Sequence, residues 1–133
     1  MKLKTSELIG HALDWAVAKC EQEHDERLTV IRREDQIGHP IERETEKGSY
    51  TYEWWCPTRI WSQGGPIIER EKLCVDIGSA GVWLSWSKQN YADEPLHMVS
   101  GPTPLIAAMR CYCCSKLGDV VDIPEELCQQ QNS

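Results

Sequence analysis

Apolar residues recur at helical spacing in two stretches of this chain and at strand spacing in a third, and these three stretches set the expected architecture. The longest runs from Thr103 to Gly118. On a helical wheel Leu105, Ile106, Met109, Tyr112, Cys113 and Leu117 fill one arc, while Ala107, Ala108, Cys111 and Cys114 keep the opposite side small and apolar. Thr103 is placed to cap the helix, Pro104 suits its first position, and Gly118 can end it in a left-handed conformation. A helix apolar almost all round is a buried one, so this segment is predicted to be the central helix.

A second helical pattern begins at Ser6, with Leu8, Ile9, Ala12, Leu13, Ala16, Val17 and Cys20 within one half of the wheel. Its outer face is predicted to carry His11, Asp14 and Ala18, with Trp15 half covered at the rim. Residues 21–48 then become densely charged. Only Leu28 to Ile31 has strand character, and Gly38-His39-Pro40 reads as a breaker, so the segment is expected to be a solvated excursion with a mobile loop.

From Ser49 to Trp55 the pattern alternates, with Tyr50, Tyr52 and Trp54 opposite Thr51, Glu53 and Trp55, which predicts a strand. Cys56-Pro57-Thr58 turns the chain. Trp61 to Pro66 is expected to be a glycine-opened loop, with Pro66 starting a short helical turn through Glu71; a strand through Ile67 and Ile68 is the alternative. Leu73 to Ile77 and Val82 to Trp86 flank Gly78-Ser79-Ala80-Gly81 as a hairpin, with Val82, Leu84 and Trp86 on one face. Lys88 to Ser100 reads as polar loop. Asp119 to Leu127 reads as an extended segment ending in a helical turn from Pro124, and residues 129–133 as a frayed tail. The sum is an α+β fold over residues 1–133 as a single small domain, with an amphipathic N-terminal helix and a buried C-terminal helix packed on a small, mainly antiparallel sheet.

Charge narrows the function classes. The net charge of -7, from 14 basic and 21 acidic residues, disfavours a non-specific hold on nucleic acid or an anionic membrane. The amino end has no signal-peptide pattern and the chain no long apolar run, so a soluble, cytoplasmic protein is expected. The seven cysteines are odd in number and form no Cys-x-x-Cys pair, which favours buried thiols in a reducing compartment over disulfides or zinc. Cys20 and His24 lie four apart and could share a metal, but two ligands do not make a site; no metal or cofactor is expected. Arg110 sits at the edge of the apolar arc and is predicted to bond a carboxylate, with Glu69, Glu71 and Asp14 as candidates.

Three blocks together resemble the NinX-like proteins of lambdoid phages and prophages. They are Leu8, Gly10 and Ala12 to Ala18; Trp61-Ser62-Gln63-Gly64-Gly65-Pro66-Ile67-Ile68-Glu69-Arg70-Glu71; and Gly101 to Cys111 with Ser115 to Asp119 and Pro124 to Leu127. The resemblance implies a phage or prophage product in a bacterial cytoplasm. It carries no known molecular function and so no catalytic residue. In the family pattern an Asp precedes the tryptophan of the Gly-Gly-Pro block; here that place is Ile60.

Six tryptophans without a phenylalanine favour surface-capable aromatics, and with them a non-enzymatic binding protein that modulates a host or phage protein. Trp61, Gly64, Gly65, Glu69, Arg70, Asp14 and Arg110 are the candidate partner-binding residues, and the loop from Trp61 is expected to edge a surface cleft. The alternative is a small enzyme or nucleotide- or anion-binding protein that uses Gly64-Gly65 ahead of a helix start. No Walker lysine or dinucleotide glycine pattern follows that pair.

Overall fold

The computed structural model describes residues 1–24, 28–30, 39–44, 50–87 and 98–128, with backbone only for 28–30, 39–44 and 50–54. The elements are β1 (Lys2–Lys4), α1 (Gly10–His24), β2 (Leu28–Val30), β3 (His39–Glu44), β4 (Tyr50–Trp55), α2 (Trp61–Glu71), β5 (Leu73–Ile77), β6 (Trp83–Ser87), β7 (Val99–Gly101), α3 (Pro104–Leu117) and β8 (Val120–Asp122). Short 3-10 turns lie at Thr5–Glu7, Ser79–Gly81 and Glu125–Leu127. The strands form three antiparallel sheets, ordered β1-β8, β2-β3-β4 and β5-β6-β7. The fold is α+β.

α3 is the centre, as its pattern predicts. It packs on all three strands of the β5-β6-β7 sheet and also meets α1, α2 and the first 3-10 turn. Leu105, Ala107, Ala108, Met109, Cys111, Tyr112 and Cys113 are buried on it. The caps are those read from sequence: the Thr103 Oγ1 accepts from the Ile106 amide at 3.1 Å, Pro104 opens the helix, and Gly118 follows it at φ +84°. Arg110 does cross-link blocks, but through carbonyls in place of the predicted carboxylate. Its Nε donates to the Leu8 carbonyl at 2.8 Å and its Nη1 to that of Ser100 at 2.9 Å. One guanidinium thus ties the backbone just before α1 to that of β7.

α1 starts at Gly10, four residues after the predicted start, and runs to His24. Asp14 and Ala18, expected on its outer face, are 1% and 0% exposed. The reason is tertiary: Trp55 and Thr58, distant in sequence, bond Asp14, and α1 also packs on α3, β2 and β3. Trp15 is half-buried at the rim, as expected. In the charged excursion, β2 matches the predicted strand, whereas β3 passes through the predicted breaker at His39 and Pro40. Pro40 stands opposite Trp54 of β4, one residue beyond the last described pair with β2, Val30 with Ile41. The expected loop within this segment and the tail at 129–133 lie outside the described residues.

β4 and the β5-β6 hairpin match the sequence reading. The predicted polar loop ends instead in β7, where Val99 and Gly101 are buried and Ser100 is exposed. Gly101 is needed there: a Cβ would stand 2.6 Å from the Ala107 amide nitrogen, so only glycine lets β7 pass under the start of α3. On β6 it is Ser85 that is fully buried, with Cys111 of α3 beside its hydroxyl.

The largest correction concerns α2. The predicted glycine loop is helical from Trp61, with Gly64, Gly65 and Pro66 inside the helix. A Cβ on Gly64 would lie 2.6 Å from the Pro57 carbonyl oxygen and 2.7 Å from Leu105, whereas one on Gly65 would meet nothing within 4 Å. Gly64 is thus a contact point between α2, the preceding turn and α3, and neither glycine has a positive φ. The helix ends on Lys72 in the left-handed region at φ 55°, without the glycine that would have flagged the stop. Gly64→Ala is expected to lower the unfolding free energy by about 1–3 kcal/mol, because backbone must move. Gly65→Ala should instead raise it by about 0.5–1 kcal/mol through helix propensity. Urea titrations of the two variants check this; equal effects would show that Gly64 is not a packing contact.

Candidate functional site

The chain between β4 and α2 is pinned from beneath and exposed above. Cys56 O accepts from the amides of Arg59 at 2.9 Å and Ile60 at 2.8 Å, and the Cys56 amide donates to Gln63 Oε1 at 2.7 Å. The Arg59 guanidinium folds back to within 3.5 Å of the Cys56 Sγ. Below the turn, Asp14 Oδ1 accepts twice from Thr58, from its amide at 3.1 Å and its hydroxyl at 2.8 Å. Asp14 also gives its backbone carbonyl to the Trp55 indole Nε1 at 2.8 Å. One residue of α1 therefore fixes both the end of β4 and the turn that follows.

What this turn presents is Arg59, Ile60 and Trp61, all exposed. Trp61 is 57% and Ile60 37% exposed, unusual for a large aromatic and a β-branched aliphatic side by side. Ile60 is the N-cap of α2 and supplies no side-chain cap, a place that suits an Asp. Ile60 instead adds apolar surface beside Trp61.

Other candidates take structural places. Arg70 points inward: its Nη2 meets Glu21 Oε1 at 2.5 Å and the Tyr112 hydroxyl at 3.1 Å, and its Nε meets Glu71 at 3.1 Å. Burial alone would lower its pKa, but the bonds to Glu21 and Glu71 outweigh it and hold the guanidinium firmly protonated. Tyr112 donates to the same Glu21 oxygen at 2.8 Å, and burial followed by that carboxylate pushes its ionisation far up. Glu69 is exposed on α2. The structure thus brings Asp14 and Trp61 to one turn, gives Gly64 to the packing beneath it, leaves Gly65 open on α2, and assigns Arg70 and Arg110 to cross-links. Sequence reasoning placed Thr58 in a turn and marked Ile60 as a departure without counting either in the site, and the Asp14-to-Thr58 contact that gives Thr58 its role spans residues distant in sequence.

Since Gly64 and Gly65 lie within α2, they do not form an anion-holding loop ahead of a helix start. A groove of about 400 Å³ lies elsewhere, lined by Trp15, Lys19, Gln22, Glu23, Leu117 and Val121; none of the predicted cleft residues lines it. Among the described residues no set of three His, Cys, Asp or Glu side chains is arranged to hold a metal ion. Cys20 is buried and His24 exposed. The cysteines are free thiols, and Cys113, wholly enclosed beside Cys20, has its ionisation pushed well up by burial. No helix among the described residues is long and apolar enough to cross a membrane.

Asp14 is the strained member of the site. Its Oδ2 is buried without a hydrogen-bond partner among the described residues, and burial raises its pKa to about 6, against a smaller lowering by Thr58 and Arg59. The folded state therefore holds a proton that the unfolded chain releases at its ordinary value of 3.8. The resulting stabilisation is complete below that value and is lost as pH rises through about 6. Across that window the loss amounts to about 3 kcal/mol. The unfolding free energy of Asp14→Asn minus that of the parent should accordingly rise between pH 4 and pH 6.5, by roughly that amount. A difference that stays flat would show that the carboxyl is not strained in the folded protein.

A comparison with curated proteins returned no significant match. The profile of a protein family described as Bacteriophage P22, NinX, matches residues 4–116, a span that takes in α1, the pinned turn, α2 and nearly all of α3. The chain belongs to the NinX family of phage proteins.

Proposed function

We propose that this NinX-family protein is a non-enzymatic binding protein of a phage or prophage, acting in the bacterial cytoplasm on a host or phage protein through the Arg59-Ile60-Trp61 turn. The observation that carries the reading is the 57% exposure of Trp61 on a turn whose backbone is fixed by Asp14 and Cys56. An exposed tryptophan on a fixed backbone has only two side-chain torsions to order on binding and buries a large area, and tryptophan and arginine are enriched in binding hot spots. Ile60 extends the apolar patch and Arg59 supplies a charge at its edge. Asp14 contributes as a positioning residue below the surface.

The test is affinity capture from infected cells with the parent, Trp61→Ser and Gly65→Ala, each first shown to be folded. A partner recovered with the parent and with Gly65→Ala should fall by roughly tenfold or more with Trp61→Ser, the loss of a hot spot of about 2 kcal/mol. Equal recovery with all three would remove the turn from consideration as the binding surface.

A further inference from the structure

β8 is an edge strand. Met1 and Ile123 exchange hydrogen bonds, the Met1 ammonium to the Ile123 carbonyl at 2.8 Å and the Ile123 amide to the Met1 carbonyl at 2.8 Å, and the Thr5 amide meets the Asp119 carbonyl at 2.9 Å. In the antiparallel register of Leu3 with Val121, this places the bonded pairs at Met1–Ile123, Leu3–Val121 and Thr5–Asp119. The amides and carbonyls of Val120 and Asp122 consequently turn to the outer side, where no strand pairs with them among the described residues. Such an edge is a template for another strand unless it is blunted.

Two further features lie on the same strand. Val121 also lines the groove of about 400 Å³, whose floor is Trp15, Leu117 and Val121 and whose rim carries Lys19, Gln22 and Glu23. The Lys19 ammonium stands 5.4 Å from the centre of the Trp15 ring, so that ring face already accepts a cation. The segment from Gly118 to Leu127 contains Asp119, Asp122, Glu125 and Glu126, all exposed, and no Lys or Arg. The Met1 ammonium already holds Asp122 Oδ1 at 2.8 Å and Lys2 stands opposite Asp122 in the sheet, so the acidic character offered to a partner rests mainly on Asp119 and Glu125.

We propose that the outer edge of β8 and the Trp15 groove form a docking surface for an extended, basic segment of another protein. That segment adds as a third strand beside β8 and sets a Lys or Arg side chain on the Trp15 ring in place of Lys19. The backbone edge supplies affinity, the acidic segment selects a basic partner, and the ring provides a specific cation seat. This surface is independent of the Trp61 turn, so either can fail without the other.

The probe is a short capped peptide of alternating Arg and Val, with an alternating Glu and Val peptide as control, followed by anisotropy titration and by amide exchange in NMR spectra. The Arg-Val peptide should bind in preference to the control and slow exchange at Val120 and Asp122. Trp15→Ala should weaken it by roughly tenfold and Lys19→Ala, which frees the ring, should strengthen it. Val120→Pro removes an amide that β1 does not use and should abolish binding while the exchange of Leu3 and Val121 is unchanged. Should Trp15→Ala fail to fold, the Lys19 and Val120 variants decide. Equal binding of the acidic peptide, absence of protection at Val120 and Asp122, or variants that bind as the parent does would each overturn the proposal.

Discussion

The three helices meet at one carboxylate. Glu21 near the end of α1 is 8% exposed and receives the Arg70 guanidinium from α2 and the Tyr112 hydroxyl from α3. A carboxylate so buried would be expelled without partners, because desolvation costs several kcal/mol. Here each donor comes from a different helix, so the charge is tolerated only when all three are in place. The network continues outward: Arg70 also bonds Glu71, and Glu71 takes Lys116 near the end of α3 at 3.2 Å. The paired cations hold the Glu71 carboxyl below its usual range despite its burial.

Around this node the packing is apolar and close. α3 is sandwiched between α1 and the β5-β6-β7 sheet, and the side chains that cannot fit are glycines, Gly64 against Pro57 and Leu105 and Gly101 against Ala107. The two arginines among the candidate binding residues are used in this scaffold, Arg70 by carboxylates and Arg110 by carbonyls. Asp14 behaves differently from Glu21. Both are buried acids on α1, but Glu21 is satisfied by charged and phenolic donors, while Asp14 has neutral donors on one oxygen only. The strain at Asp14 is spent on holding the turn that exposes Trp61, which is where a cost in stability is consistent with a function.

Much of this was legible in the residues. Thr103, Pro104 and Gly118 gave α3 both ends, alternation gave β4, and Gly78 to Gly81 gave the hairpin, because those signals act within a few residues. The misses arise from contacts distant in sequence. Two glycines and a proline read as a loop, yet packing at Gly64 and the burial of Ile67 hold them helical. Asp14 read as solvent-facing because the turn that covers it lies beyond β4. β7 was hidden because one of its inward residues is a glycine, which carries no apolar signal. Of the site, Trp61 and Asp14 were visible as residues and Cys56-Pro57-Thr58 as a turn, but the hydrogen bonds that tie that turn to Asp14 were not.

The central claim is that the Glu21-Arg70 pair holds the helices together and that Arg70 is scaffold. A double-mutant cycle with Glu21→Gln and Arg70→Met, read by urea unfolding at neutral pH, tests it most directly. The account predicts that each single change costs about 2–4 kcal/mol and that the double variant costs far less than their sum, since removing both partners leaves no unpaired buried charge. Costs that add to within about 0.5 kcal/mol would contradict it.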